Sequence, residues 1–252
     1  MKIDKIKKLN NGKYKIVLEN KEEINTYDDV ILSTNILYNK ELNEEDLDKI
    51  KSKNDYYTLY NKVIKLISKR LRSEYEVIEF LNKNNCNEKD INKIVNSLKE
   101  NGYINDLNFV KAYIYDRFNL YNDGPYKIKK DLINYNIDEN IIDENINKLN
   151  KNDIKNKIEK YVLKKVKLDH KHSISFIKTK LKLELINLGY DSNMIDDILI
   201  NLKSNNNIEK EYKLIYNKLN KKYNGVELEN KIKQKLYQKG YSLDEIKMLN
   251  FD

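Results

Sequence analysis

Apolar positions recur along this chain in one register, four times over. The segments LNKNNCNEKDINKIVNSL (81–98), LINYNIDENIIDENINKL (132–149), LINLGYDSNMIDDILINL (185–202) and LYQKGYSLDEIKMLNF (236–251) align without gaps. Their first leucines, Leu81, Leu132, Leu185 and Leu236, stand 51, 53 and 51 residues apart. Five positions on comes Cys86, Ile137, Tyr190 or Tyr241, and ten positions on comes Ile91, Ile142, Ile195 or Ile246. Three copies close on a leucine, Leu98, Leu149 or Leu202. Compositional bias supplies isolated Asn and Ile matches but does not hold an apolar register through four copies. The pattern therefore predicts a structural repeat of about fifty residues.

Each unit is expected to hold three helices. A long one comes first, at 55–70, 106–121, 151–168 and 206–223; a medium one ends at the leucine, and a short one carries the isoleucine. Polar residues suited to starting a helix, Asn87, Asp138, Asp191 and Ser242, mark the turn before the third helix. Ser73 with Glu76 and Ser242 with Glu245 have capping-box spacing, which satisfies free N–H groups at a helix start. Gly124-Pro125 serves the same end, because proline in a first turn forfeits no hydrogen bond. Stacked units of this kind form an elongated, curved solenoid with a surface suited to a long partner.

Ahead of the repeats the periodicity changes. Lys13-Tyr14-Lys15-Ile16-Val17-Leu18 alternates in strand fashion behind Asn11-Gly12, a pair that tolerates the positive φ of a tight hairpin turn. Two or three short strands are expected, then a short helix with Thr26 and Asp29 as its capping box. A second helix start follows at Asn43, with acidic residues in its first turn. The fold expected is mostly α: a small β-containing head over 1–52, then three-helix repeats over 53–103, 104–150, 151–204 and 205–252.

Composition supports helices, since one proline and six glycines in 252 residues rarely interrupt them. Asn, Lys, Ile and Tyr dominate in a way that AT-rich codon usage explains, which weakens arguments from total charge. Distribution says more: residues 1–50 carry 9 Lys against 11 Asp plus Glu, a net of −2 where the whole chain has +8, so +10 falls on the later part. A lone Cys86 excludes an internal disulfide, and a reducing cytoplasm fits. No apolar run is long enough for a membrane span, and the N-terminus lacks the apolar core of a signal peptide.

Catalysis finds no footing. His170 and His172 lie two apart with nothing nearby to complete a triad or a metal site, and are expected to be solvated linker residues. Neither a phosphate-binding loop, a dinucleotide fingerprint nor a zinc-protease motif occurs. A non-enzyme without cofactor or metal is expected. Cations recur where the long helices end: Lys69 and Arg70; Arg117; Lys164, Lys165 and Lys167; Lys218, Lys221 and Lys222. Two readings stand: basic side chains complement a helix C-terminus, and one cluster per repeat also suits a nucleic-acid backbone or an acidic groove. Tyr103, Phe109, Tyr113 and Phe118 are expected in the core, with base stacking as the alternative.

Several of these residues together resemble the bacterial RecX regulatory family. They are Arg70-Leu71-Arg72-Ser73-Glu74 with Val77 and Leu81, then Leu98 to Asp106 containing Gly102-Tyr103-Ile104-Asn105-Asp106, with Phe109 and Arg117, then Gly124-Pro125 with Ile128, Leu132 and Ile137. The head is similar to the N-terminal extension of longer members. Val110 stands where an alanine is usual, Asn136 where a glycine is, and repeats three and four match less well.

The resemblance implies a modulator of RecA recombinase. Members bind the RecA filament on single-stranded DNA, lie in its helical groove, and restrain its growth, ATP hydrolysis, strand exchange and stimulated LexA cleavage, which places them in recombination and the SOS response. Lys69, Arg70, Arg72, Arg117, Lys129 and Lys130 are then the expected partner or DNA contacts. Ser73, Glu76, Leu81, Gly102, Asp106, Gly124, Pro125 and Leu132 belong to the scaffold. A cytoplasmic monomer is expected, with RecA as partner and direct binding of single- or double-stranded DNA as the alternative.

Overall fold

A computed structural model of the chain describes residues 1–10, 12–34, 36–38, 41–169, 172–202 and 208–249. They form two compact units, Met1–Phe109 and Val110–Asp252.

The first unit opens with an antiparallel sheet of β1 (Ile3–Lys8), β2 (Tyr14–Leu18) and β3 (Glu23–Thr26) in that order. Gly12, at φ 77, donates to Leu9 O across the first connection, while Asn11 lies outside the described residues. Alternation puts Ile16 and Leu18 of β2 into a small core with Val30, Ile36, Leu42 and Ile50. Helix α1 (Asp28–Ser33) starts differently from expectation. Its N-cap is Tyr27, and Thr26 is buried at the end of β3, where its hydroxyl donates to Asn54 Oδ1 at 2.7 Å. Thr26 thus fastens the sheet to the next helix rather than capping its own neighbour.

That next helix, α2 (Glu44–Ile67), runs unbroken through residue 52. Nothing between its capping box at Asn43 and its end interrupts the hydrogen-bond ladder, for the stretch has neither Gly nor Pro. One helix therefore serves two cores: Ile50 and Leu47 face the head, and Val63, Leu59 and Ile67 face the first repeat. The first repeat is completed by α3 (Glu74–Lys83) and α4 (Glu88–Glu100), which close around Val77, Leu81, Ile91, Ile94, Val95 and Leu98. Gly102 at φ 72 lets the chain turn after α4, so that the amides of both Tyr103 and Ile104 return to Leu98 O.

The remaining repeats keep the same order: α5 (Asp106–Asn119), α6 (Pro125–Ile133) and α7 (Glu139–Ile146); α8 (Lys151–Leu168), α9 (Ile174–Asn187) and α10 (Ser192–Ile200); α11 (Ile208–Leu219), α12 (Gly225–Gln238) and α13 (Leu243–Lys247). All four anchor leucines and all four isoleucines ten positions later are buried. Asn87, Asp138, Asp191 and Ser242 each cap the third helix of their unit. The residue just before the fifth position is always in the left-handed region: Asn85 (φ 55), Asn136 (φ 54), Gly189 (φ 86) and Gly240 (φ 85). Asn136 thus does what the missing glycine would do, because asparagine tolerates this conformation better than other side chains.

Within the second unit successive repeats meet at one kind of joint. Gly124, the N-cap of α6, donates its N–H to Leu188 O at 2.6 Å, and Ser173, the N-cap of α9, donates its N–H to Lys239 O at 2.8 Å. Each accepting carbonyl directly precedes a left-handed glycine of the following repeat. An N–H left over at a helix start thereby joins two units sixty-odd residues apart in sequence.

Candidate functional site

In the first unit two of the three candidate cations, Arg70 and Arg72, converge on one carboxylate. Ser73 and Glu76 form the capping box of α3: Ser73 Oγ accepts from the Glu76 amide at 3.2 Å, and Glu76 Oε2 accepts from the Ser73 amide at 3.3 Å. The same carboxylate takes a fork of donors, with Arg70 Nη1 at 3.1 Å and Arg72 Nη1 at 2.9 Å. Burial would raise the Glu76 pKa, but the hydrogen bonds from Arg70, Arg72 and the Ser73 amide outweigh it and hold the carboxyl below its usual range. The two arginines differ in access: the Arg70 side chain is 49% exposed and that of Arg72 18%. Arg72 is mostly scaffold in this geometry, whereas Arg70 keeps half of its surface for solvent or a partner.

Asp106 adds a tertiary link. Its Oδ1 accepts the Glu74 amide at 2.9 Å, so the start of α5 satisfies a free N–H at the start of α3, while Glu74 pairs with Lys99. Burial is the largest influence on Asp106 and raises its pKa, helped by the nearby Glu74 charge.

In the second unit Arg117 is enclosed by acids. Its Nε lies 2.8 Å from Asp123 Oδ2 and its Nη2 lies 3.1 Å from Asp131 Oδ2. Its guanidinium sits over the ring of Tyr121 at 5.1 Å. Asp123 is buried, and Lys127 reaches its other oxygen at 2.8 Å. Lys129 pairs with Asp143 and raises its own pKa by doing so. Lys69 and Lys130 are exposed and have no acidic partner among the described residues. The same holds for Lys164, Lys167, Lys218, Lys221 and Lys222, whereas Lys165 pairs with Glu184 at 2.9 Å.

Sequence reasoning missed a motif that this geometry makes plain. Tyr113 and Arg117, four apart on α5, both donate to Asp131, the residue before the anchor leucine of α6. Tyr161 and Lys165, four apart on α8, both meet Glu184, the residue before the anchor leucine of α9. One tyrosine, one cation and one carboxylate thus clamp the first helix of a repeat to its second, twice. The i, i+4 spacing of aromatic and cation in each copy was the available signal.

Of the four aromatics expected in the core, Tyr103 is not a core residue. Phe109 and Phe118 are buried, Tyr113 belongs to the clamp, and Tyr103 is 49% exposed. His172 is not a solvated linker residue: its Nδ1 is 2.9 Å from Asp169 Oδ1 and its ring stacks on Phe176 at 4.6 Å. His170 lies outside the described residues. Among the described residues no group of His, Cys, Asp and Glu could hold a metal ion, and no helix is long and apolar enough to cross a membrane.

No family model matches the chain. Curated relatives do. Regulatory protein RecX of Streptococcus agalactiae serotype III (strain NEM316) is 32% identical over 254 residues, covering 98% of this chain and 97% of that protein. Regulatory protein RecX of Bacillus cereus (strain 03BB102) is 32% identical over 229 residues, covering 87% of this chain and 78% of that one. A crystal structure of regulatory protein RecX matches the fold with a TM-score of 0.67 at 21% identity, over 78% of this chain and 98% of that chain. The crystal structure of RecX from Lactobacillus salivarius matches with a TM-score of 0.54 at 27% identity, over 58% of this chain and 95% of that chain.

Proposed function

Because the chain belongs to the RecX family of regulatory proteins, we propose that it binds the RecA filament on single-stranded DNA, lies in the filament groove and restrains RecA's ATP hydrolysis, strand exchange and coprotease action. The observation that carries this reading is the family match across 98% of the chain, head included. The repeats support it physically. Units of similar build, each offering exposed cations, can engage successive protomers of a helical polymer, so that individually weak contacts add as avidity. Lys69 and Lys130 are the contacts this reading favours, since they are exposed with no acidic partner among the described residues, together with Arg70, which pairs with Glu76 but leaves half of its side chain exposed. Arg72, Arg117 and Lys129 contribute through the side-chain surface that their ion pairs leave exposed. The protein acts as a regulator without cofactor or catalytic residue, and as a monomer.

The test is a titration into RecA-catalysed ATP hydrolysis on single-stranded DNA, with binding to bare DNA measured at the same salt. Inhibition at concentrations that leave bare DNA unbound supports the proposal. Salt-dependent binding to bare DNA at least as tight as to the filament would instead make it a DNA-binding repeat protein acting without RecA.

A further inference from the structure

The helix clamp of the second and third repeats is inverted in the fourth. Repeat three carries Tyr161 and Lys165 against Glu184; fifty-one residues later the equivalent positions hold Tyr212, Tyr216 and Lys235. The carboxylate has become a lysine and the cation a tyrosine. Lys235 is exposed and has no acidic partner among the described residues.

A cleft of about 510 Å³ lies at this place between α11 and α12. Leu214, Ile215 and Leu219 form its aliphatic floor, and Lys218, Lys235 and Lys239 stand around it. The one acid among its described lining residues, Glu211, is buried and already held by Lys239. Leu214 is 49% exposed. A cleft of about 360 Å³ between α8 and α9 in repeat three shares two positions with it, Leu168 for Leu219 and Glu184 for Lys235, and carries the carboxylates Glu184 and Asp169 beside Lys165 and Lys180. At the shared position beside the anchor leucine, repeat three has the carboxylate of Glu184 and the fourth repeat has the ammonium of Lys235.

We propose that this cleft docks an acidic, aliphatic-rich peptide segment of a partner protein. A partner carboxylate pairs with Lys235 and Lys218, and apolar side chains of the segment cover Leu214 and Leu219. Charge complementarity identifies the occupant: Lys218 and Lys235, without acidic partners among the described residues, line a cleft with an apolar floor, an arrangement that pairs carboxylates with buried aliphatic surface. A nucleic acid fits less well, because none of the described residues lining the cleft offers an aromatic face for a base. The inference stands apart from the RecA reading. Its test uses no RecA, so either can fail alone.

The test is fluorescence anisotropy on the full-length protein with three labelled probes. One is a short peptide alternating Asp or Glu with Leu, the second is the same peptide with Asn and Gln for the acids, and the third is an oligothymidine. The acidic peptide should bind at least tenfold more tightly than the neutral one. Lys235→Glu should weaken it tenfold or more, and Leu214→Gln severalfold, with the circular dichroism of both variants unchanged. These are exposed side chains, so neither variant is expected to disturb folding. Equal binding of the two peptides, or undiminished binding by Lys235→Glu, overturns the proposal. So does a Lys235-dependent affinity for oligothymidine that exceeds that for the acidic peptide.

Discussion

Gly124 and Gly189 stand so close that a Cβ added to Gly124 would fall 2.4 Å from the Gly189 carbonyl oxygen, and one added to Gly189 would fall 2.3 Å from the Lys127 amide nitrogen. Sixty-five residues separate them, yet neither has room for a side chain: the Gly189 backbone blocks one at Gly124, and Lys127 blocks one at Gly189. Gly240 repeats the relationship against Phe176, beside the Ser173 cap.

Alanine at Gly189 should therefore cost at least about 2 kcal/mol, because backbone rather than a flexible side chain opposes the added carbon and φ is already left-handed. Gly225 is the control. It is also left-handed, but nothing lies within 4 Å of its Cβ position, so Gly225→Ala should cost about 1 kcal/mol. Urea unfolding of the two variants checks the difference, and equal losses would show that conformation alone matters.

Glu76 carries both a cap and two arginines. Its depressed pKa means that its contribution is complete above the ordinary glutamate range and disappears as pH falls through the folded value. Glu76→Gln should lose about 1–2 kcal/mol at neutral pH. It should also show a smaller drop in stability than wild type between about pH 5 and pH 3. A melting series across that window measures both.

Asp106 should behave in the opposite sense. Its raised pKa means that the folded state disfavours the charged form, so its stabilising contribution is present at low pH and lost as pH rises through the folded value. Asp106→Asn keeps an oxygen for the Glu74 amide and removes the buried charge. It should match wild type or gain up to about 1 kcal/mol at neutral pH, an advantage that vanishes in acid. Asp106→Ala leaves the amide without its acceptor and should lose about 1–2 kcal/mol. Chemical denaturation at two pH values distinguishes the three proteins.

Lys69 and Lys130 have no role in any ion pair among the described residues, so reversing both to Glu should change stability by no more than about 0.5 kcal/mol. If they face the filament, the concentration needed to inhibit RecA ATP hydrolysis should rise severalfold, and more so at low salt. Inhibition identical to wild type would remove them from the contact surface.

The scaffold is largely legible in the sequence. Capping boxes at Ser73 and Ser242, the proline start at Pro125 and the buried leucine and isoleucine registers are all local, fixed by helix periodicity and by unpaired groups at helix ends. The undivided helix α2 was misread as two because acidic capping residues mark a start but nothing in sequence marks which core a helix will serve. Thr26 was misassigned for a related reason: its capping spacing to Asp29 is real, but a buried hydroxyl takes the partner that packing offers, here Asn54.

The sequence alone determined that the chain is helical, repeated fourfold and headed by a small sheet, because those properties follow from patterns within ten or twenty residues. Tertiary structure decided which charges are spent inside the fold. Arg117 and Lys129 are paired by Asp131 and Asp143 while Lys69, Lys130 and Lys235 have no acidic partner among the described residues, and the difference lies in which carboxylate a neighbouring helix brings within about 3 Å. Loop length and helix crossing set that distance, and neither leaves a periodic trace in the sequence.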